Sequence, residues 1–489
     1  MKSIARRQFL KGSLAGGLAF ALPDLATASP NAEIRMAVIG LGGIATVGGV
    51  GGRGRQLISR IRTVPGVRIV ALCDVDQAIL DHEVQQFKDR HEDVAACRDL
   101  RKVFDDKSID AVAIATPNHW HALATIWACQ AGKDVYVEKP FSYNIWEGRQ
   151  MVAAARKYGR VVQVGTQRRS SPVLWQAVEC LRGGQLGAIR CAHALIYRAR
   201  DGIGKVAAPT VPPLTVDYDL WCGPAPKLPL MRKQLHYDWH WFWSTGNGEI
   251  GNNGAHLIDV CRWALGQNKP APRALSIGGR FAFNDDGETA NTQVAVFDYQ
   301  PAPLICEIRN LRASLGKFRN SGSGIVIECE GGYLAGDTSG VTLFDNKGRK
   351  IKEIRDSHKP QEVETAHMAN FAAAARSRNI GDLHAEALQG HVSSALSHMA
   401  NVSYRLGKRT DPEAILASIH GNGELSDAFQ RCREHLRGNG IDLTATPAVL
   451  GPWVSWDCDQ ERFVGPFSQQ AVALSKREYR APFVVPTVI

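Results

Sequence analysis

Between residues 34 and 164, short apolar runs alternate with segments of helical period, and this alternation constrains the fold more than any other feature. Ile34–Gly40 is an apolar run that ends in glycine, and Val67–Asp74 is a second that ends in an acid. Ala111–Ala115, Val135–Val137 and Val161–Val164 follow. Helical patterns over about 55–64, 119–131 and 146–158 fill the gaps, with a weak hairpin-like stretch near Asp99. Strands joined through helices pair in parallel, so the spacing predicts a Rossmann-type α/β domain with a doubly wound parallel sheet over 34–165. From about residue 188 the texture changes. Alternating segments at 292–299 and 325–330 read as antiparallel strands. A second, α+β domain with an open, mainly antiparallel sheet is therefore expected over 166–410. Its helices near 364–377 and 390–406 should pack back on the core. Residues 411–489 form a C-terminal extension packing on the core, with one amphipathic helix and then an irregular stretch rich in Trp and Pro.

The first 28 residues read as a targeting segment, outside the fold. A basic start with Arg6-Arg7-Gln8-Phe9-Leu10-Lys11 runs into an apolar stretch over 12–22 and closes on Ala26-Thr27-Ala28. The paired arginines resemble a twin-arginine signal, although Ala5 stands where Ser or Thr is usual. The expectation is a periplasmic or otherwise exported protein, carried already folded by the twin-arginine translocation machinery. A length of 489 residues suits two domains, and 44 % apolar with 22 % charged residues is ordinary for a globular chain. The formal charge of +10 is dispersed, without the lysine/arginine run that a nucleic-acid groove needs. Eleven cysteines are scattered with no Cys-x-x-Cys pair, which predicts buried free thiols and neither a disulfide framework nor a metal site.

Glycines after the first strand of such a sheet let the backbone approach a pyrophosphate, and the next helix offers free N–H groups to it. Two fingerprints compete here: Gly40-x-Gly42-x-x-Ala45, and Gly49-x-Gly51-x-x-Gly54 with Arg53 inside it. A nine-residue insertion in the loop reconciles them. Asp74, at the end of the second strand, can accept both ribose hydroxyls and would repel a 2′-phosphate, which points to NAD rather than NADP.

Further along come Ala115-Thr116-Pro117-Asn118-His119-Trp120-His121-Ala122 and Val137-Glu138-Lys139-Pro140. With Asp74 they resemble the Gfo/Idh/MocA family of oxidoreductases over about residues 34–410. Gln163-Val164-Gly165-Thr166-Gln167-Arg168-Arg169 and Trp221-Cys222-Gly223-Pro224-Ala225-Pro226 are similar to its exported branch. The resemblance implies that Gly40, Gly42, Gly51, Arg53, Asp74, Thr116, Asn118, His121, Glu138, Lys139, Gln167 and Trp221 surround the cofactor. It also implies that Lys139 lies between the nicotinamide and the reacting carbinol, and that the open sheet mediates a homo-oligomer. Oxidising a carbinol leaves a hydroxyl proton to be removed, so a base or donor must stand beside that oxygen.

The other half of the site is expected from Gly248–Asp259. On a helix Asn252 and His256 share a face, with Asp259 one turn beyond. The family often has Asp where this chain has Asn252. Asn cannot take a proton, so His256 and Lys139 are expected to carry the acid–base work, with Asp259 either orienting His256 or satisfying the helix surface. The block His236-Tyr237-Asp238-Trp239-His240-Trp241-Phe242-Trp243 suits a sugar pocket, in which aromatic faces meet sugar C–H groups. Tyr237, Asp238, His240 and Arg168 are the further substrate-binding candidates. The expected activity is hydride transfer between a sugar or polyol and a nicotinamide held tightly, since no free pool exists outside the cytoplasm. The alternative is a redox-neutral glycoside hydrolase working by oxidation, elimination and hydration, although the glycine/histidine-rich signature of such relatives is not evident.

Overall fold

The computed structural model describes residues 33–43, 51–357 and 359–489. The expected targeting segment, Ala45 and Gly49 lie outside them. The first domain runs β1 (Ile34–Ile39), α1 (Arg53–Ile61), β2 (Val67–Cys73), α2 (Gln77–Lys88), β3 (Ala95–Cys97), α3 (Leu100–Asp105), β4 (Ala111–Ile114), α4 (Asn118–Gln130), β5 (Asp134–Val137), α5 (Ile145–Lys157) and β6 (Val162–Val164). Its six strands are all parallel, in the order β3-β2-β1-β4-β5-β6. The switch point lies between β1 and β4, where a ligand cleft opens at the carboxyl ends. The central strands β1, β4, β5 and β6 are buried on both faces because helices cover both, and this is why they read as continuous apolar runs. One face carries Leu57, Ile58 and Ile61 of α1 with Phe87 of α2; the other carries Leu123 of α4 and Met151 of α5. The stretch near Asp99 is not a hairpin. It is the short parallel strand β3, followed by α3, whose first turn is capped by the Asp99 side chain accepting from the Arg101 amide at 3.0 Å.

The second domain begins with α6 (Pro172–Arg182), β7 (Ile189–Tyr197), α7 (Tyr218–Cys222) and α8 (Ala255–Ala264). It continues with β8 (Arg273–Gly279), β9 (Thr292–Phe297), β10 (Leu304–Arg309), β11 (Gly324–Cys329), β12 (Gly332–Asp337), β13 (Gly340–Asp345) and β14 (Lys350–Ile354). These strands form a mixed sheet in which only the β7–β10 pair is parallel. The long helices α9 (Pro360–Ser377) and α10 (Ala387–Leu406) follow. Phe371 of α9 packs on Tyr136 of β5, so α9 returns to the first domain, while α10 lies across β8 with Leu396 and Met399 in the core.

The extension is more regular than its composition suggests. It contains β15 (Lys408–Thr410), α11 (Pro412–Ile419), α12 (Gly423–Gly438), β16 (Ala448–Leu450), β17 (Val454–Asp457), β18 (Arg462–Val464) and α13 (Ser468–Ser475). Strands β16 and β17 add to the free edge of β8. Ile415, Ile419, Leu425, Phe429 and Leu436 of α11 and α12 pack on Leu275, Ile277, Val294, Val296 and Ile305, covering one face of the large sheet.

Candidate functional site

One cleft of about 1330 Å³, counting its open mouth, runs from the glycine loop to the second domain. It is lined by Gly40, Gly42, Gly51, Arg53, Asp74, Thr116, Asn118, His121, Glu138, Lys139, Trp221, Tyr237, His240 and Asn252 among others. The two glycine clusters contribute to one cradle. Gly40, Gly42 and Gly51 all have φ between +84° and +102°, a conformation that side chains disfavour. The Gly43 amide donates to the Gly51 carbonyl at 2.7 Å, which brings the two clusters together. A Cβ on Gly42 would lie 2.1 Å from the Gly51 oxygen, and one on Gly54 would lie 1.9 Å from the Gly40 oxygen. Gly54 thus supplies the close helix–strand packing and Gly42 the bare backbone facing the cleft. Thr116, on the same wall, has a buried Oγ1 with no partner, which leaves a donor for a ligand. The bare cradle and the free hydroxyl fit a dinucleotide.

At the far end of the cleft the Asp74 carboxylate accepts from the amides of Leu41 (2.6 Å) and Asp76 (3.0 Å). Burial pushes its pKa up, against those hydrogen bonds. A segment of the second domain closes over this end. The Gln77 amide donates to the Thr215 carbonyl (2.9 Å), the Asp217 amide donates to the Val75 carbonyl (3.0 Å), and His236 Nε2 bonds Asp76 Oδ2 at 2.9 Å. Trp120 Nε1 donates to the carbonyls of Leu220 (3.0 Å) and Trp221 (3.1 Å), seating α7 on α4. No motif in the sequence marks this clasp. Asp76 also caps α2, its carboxylate accepting from the Ala78 amide at 3.1 Å.

At the opposite end, Lys139 Nζ donates to Asn252 Oδ1 (2.9 Å) and to the Asn252 carbonyl (3.2 Å). Burial lowers the Lys139 pKa to about 8, with the Arg53 cation working in the same direction and Glu138 against it. Arg53 Nε donates to Glu138 Oε1 at 2.7 Å, and Gly165 makes room for that carboxylate, since a Cβ there would lie 2.8 Å from it. Residues Ile250–Gly254 form a π turn before α8 rather than a continuous α-helix, so the simple four-residue face does not apply to Asn252 and His256. His240 lines the cleft and His256 does not. His256 is buried with no partner on Nδ1, and burial together with Lys139 and Arg168 keeps its pKa well below the usual range.

Several expected site residues sit elsewhere. Asp259 is held by Arg169 through two bonds of 2.7 and 2.9 Å and by the Ser393 hydroxyl at 2.6 Å, and no hydrogen bond joins it to His256. It serves the packing of α8, because a buried carboxylate needs such partners. Arg168 pairs with Asp337, and Gln167 Nε2 reaches Glu364 at 3.5 Å; neither lines the cleft. Asp238 accepts from the Gln234 amide at 3.1 Å and is not on the wall either. His236, Asp238 and His240 thus turn to three different partners instead of converging on one ion. Tyr237 is on the wall, its hydroxyl accepting from Arg200 (2.7 Å), which also pairs with Glu249 (3.1 Å). Asn118 donates to Asn247 at 2.8 Å, and His121 braces the carbonyls of Pro140 (2.7 Å) and Thr116 (2.9 Å).

Residues 34–166 match the NAD-binding Rossmann fold of the Gfo/Idh/MocA oxidoreductase family, and residues 200–302 match that family's C-terminal alpha/beta domain. Inositol 2-dehydrogenase of Salmonella paratyphi B is 30 % identical over 161 residues, which is 32 % of this chain and 46 % of that protein. Glycosyl hydrolase family 109 protein 1 of Shewanella sp. MR-4 is 32 % identical over 174 residues, 32 % of this chain and 38 % of that protein. The chain thus spans less than half the length of these curated relatives. Among solved structures, the WlbA dehydrogenase of Bordetella pertussis, in complex with NADH and UDP-GlcNAcA, shares the fold with a TM-score of 0.55 at 19 % identity, covering 76 % of this chain and 97 % of that one. A levoglucosan dehydrogenase complexed with NADH and levoglucosan also scores 0.55, at 16 % identity, covering 75 % and 97 %.

Proposed function

We propose that this chain, which carries the two domains of the Gfo/Idh/MocA oxidoreductase family, oxidises a carbinol of a sugar or polyol with a resident NAD. The observation that supports this best is the continuity of the cleft, which leads from the glycine cradle past Lys139 to the aromatic wall of Trp221, Tyr237 and Trp239. Gly40, Gly42, Gly51 and Thr116 would hold the pyrophosphate, and Asp74 the adenosine ribose. The Asp74 carboxylate disfavours a 2′-phosphate, so NAD is preferred to NADP. When bound, NAD supplies the hydride acceptor. Lys139 gives two of its N–H bonds to Asn252 and keeps one for the substrate oxygen. The clasp over Asp74 supports slow cofactor exchange, which suits a protein exported by the twin-arginine route with its cofactor already loaded. The partial likeness to a family 109 glycosyl hydrolase favours a second reading, in which the hydride returns to the sugar after cleavage of a glycosidic bond.

Protein purified from the periplasm without added cofactor tests both readings. Denaturation should release NAD, and the native protein should gain reduced-nicotinamide absorbance on addition of a polyol. Resident NAD with glycoside cleavage and no accumulated reduction would favour the second reading. Absence of bound nicotinamide would overturn the resident cofactor.

A further inference from the structure

Resting on the oxidoreductase reading, we infer that His240 Nε2 takes the hydroxyl proton of the substrate, while Lys139 serves as the hydrogen-bond donor to the same oxygen. Three observations carry this. First, the position that could have held a carboxylate base holds Asn252, and both its Oδ1 and its carbonyl are engaged by Lys139. Second, His240 is fixed as one tautomer. Its Nδ1 lies 2.6 Å from the Tyr237 carbonyl, which can only accept, so Nδ1 carries the hydrogen and the neutral ring leaves Nε2 bare. Third, His240 is on the cleft wall with Lys139, and its ring is held rigidly. It stacks on Trp239 with centroids 3.7 Å apart at 20°, and it sits in a 3-10 turn over 238–241. Gly246 packs against that turn so closely that a Cβ would lie 2.4 Å from the His240 carbonyl oxygen.

Burial is the main effect holding the ring neutral; the Tyr237 carbonyl works against it, and the cations Lys139 and Arg200, which face the ring from neighbouring elements, add to it, so the imidazole stays neutral across working pH. Because Lys139 donates to the same oxygen and stabilises the negative charge it takes on, a weak base suffices. As the O–H bond breaks and its proton passes to Nε2, the C–H bond breaks and its electron pair leaves as hydride for the NAD of the proposed function, so that the carbon is left as a carbonyl, oxidised by two electrons. His256 differs in having no partner on Nδ1 to fix a tautomer.

The test uses full-length protein loaded with NAD and whichever polyol, from a panel of inositols, anhydrosugars and glycosides, gives the largest reduced-nicotinamide signal. His240→Asn keeps a donor for the Tyr237 carbonyl and removes Nε2. It should lower single-turnover cofactor reduction by about 10²–10⁴-fold while leaving NAD affinity unchanged. In the wild type the rate should be flat below pH 7 and fall as pH rises through about 8, because Lys139 must keep its proton to donate. A rate that instead rises through that range would make Lys139 the base and overturn the proposal. Nitrogen NMR of the imidazoles, assigned by difference from His240→Asn, should show a neutral Nδ1–H ring from pH 5 to 8 in the absence of substrate. An Nε2–H ring, or a variant within about threefold of wild type, would also overturn it. A wild type that binds NAD but is reduced by no member of the panel would remove the oxidoreductase reading itself, and this assignment with it.

Discussion

Lys139, Asp74 and Gly54 are the positions where the proposed site depends most on one side chain, or on the lack of one. Lys139→Ala should leave NAD bound and abolish its reduction by polyol, and a wild-type rate would take Lys139 out of the chemistry. Asp74→Ala should weaken NAD by about 10- to 100-fold, the worth of a charge-assisted hydrogen bond to the ribose, and NADP far less. Equal losses in a titration of both cofactors would sink the ribose assignment. Gly54→Ala places a Cβ within 1.9 Å of the Gly40 oxygen, so α1 must move; unfolding should show a loss of about 1–3 kcal/mol together with weaker cofactor binding. These residues were legible in the sequence because their motifs are local: a glycine after a strand, an acid at the end of the next, a lysine before a proline. His240 was legible only as one member of an aromatic block. What separates it from His236, four residues earlier, is a carbonyl at 2.6 Å and a carboxylate across the cleft, and both depend on the folded path.

At the scale of elements, regular period was readable and exceptions to it were not. The crossover helices and long strands follow from apolar spacing, but β3, β16 and β18 are three residues each, too short for alternation to show. The π turn at Ile250–Gly254 was invisible because one extra residue per turn leaves the composition of a helix intact. The clasp around α7 joins residues about 140 positions apart in the chain, so no window could reveal it. Its function is testable. His236→Ala removes the bond to Asp76, outside the reacting end of the cleft, and should speed NAD release roughly tenfold or more with little effect on the hydride step. Stopped-flow displacement of bound cofactor would decide this, and an unchanged release rate would show that the clasp does not gate exchange.

For the whole molecule, the extension changes what the large sheet can present to other chains. The resemblance implied an oligomer built on that open face, but α11 and α12 of the same chain cover its β8–β9–β10 region. That region is therefore not free to pair with another chain. Phe429 is fully buried against the sheet, so Phe429→Ala should cost about 3–5 kcal/mol, read as a lower melting temperature and, in sedimentation, as new self-association through the loosened face. Unchanged sedimentation would mean that the covered face takes no part in self-association. The segment beyond α13 crosses back to the first domain. Arg480 Nη1 donates to Asp219 Oδ1 at 2.9 Å in α7, the Tyr479 hydroxyl donates to Glu147 at 3.1 Å, and Phe483 meets Trp120 edge-on with centroids 5.4 Å apart. Since α7 brings Trp221 to the cleft, this wall is braced by residues that a ribosome makes after every other part of the site. A nascent chain can shape its glycine cradle early, yet it cannot finish the enclosure until those residues have emerged. On the proposed function, full enclosure of the cofactor is therefore expected only in a molecule whose translation has passed residue 483.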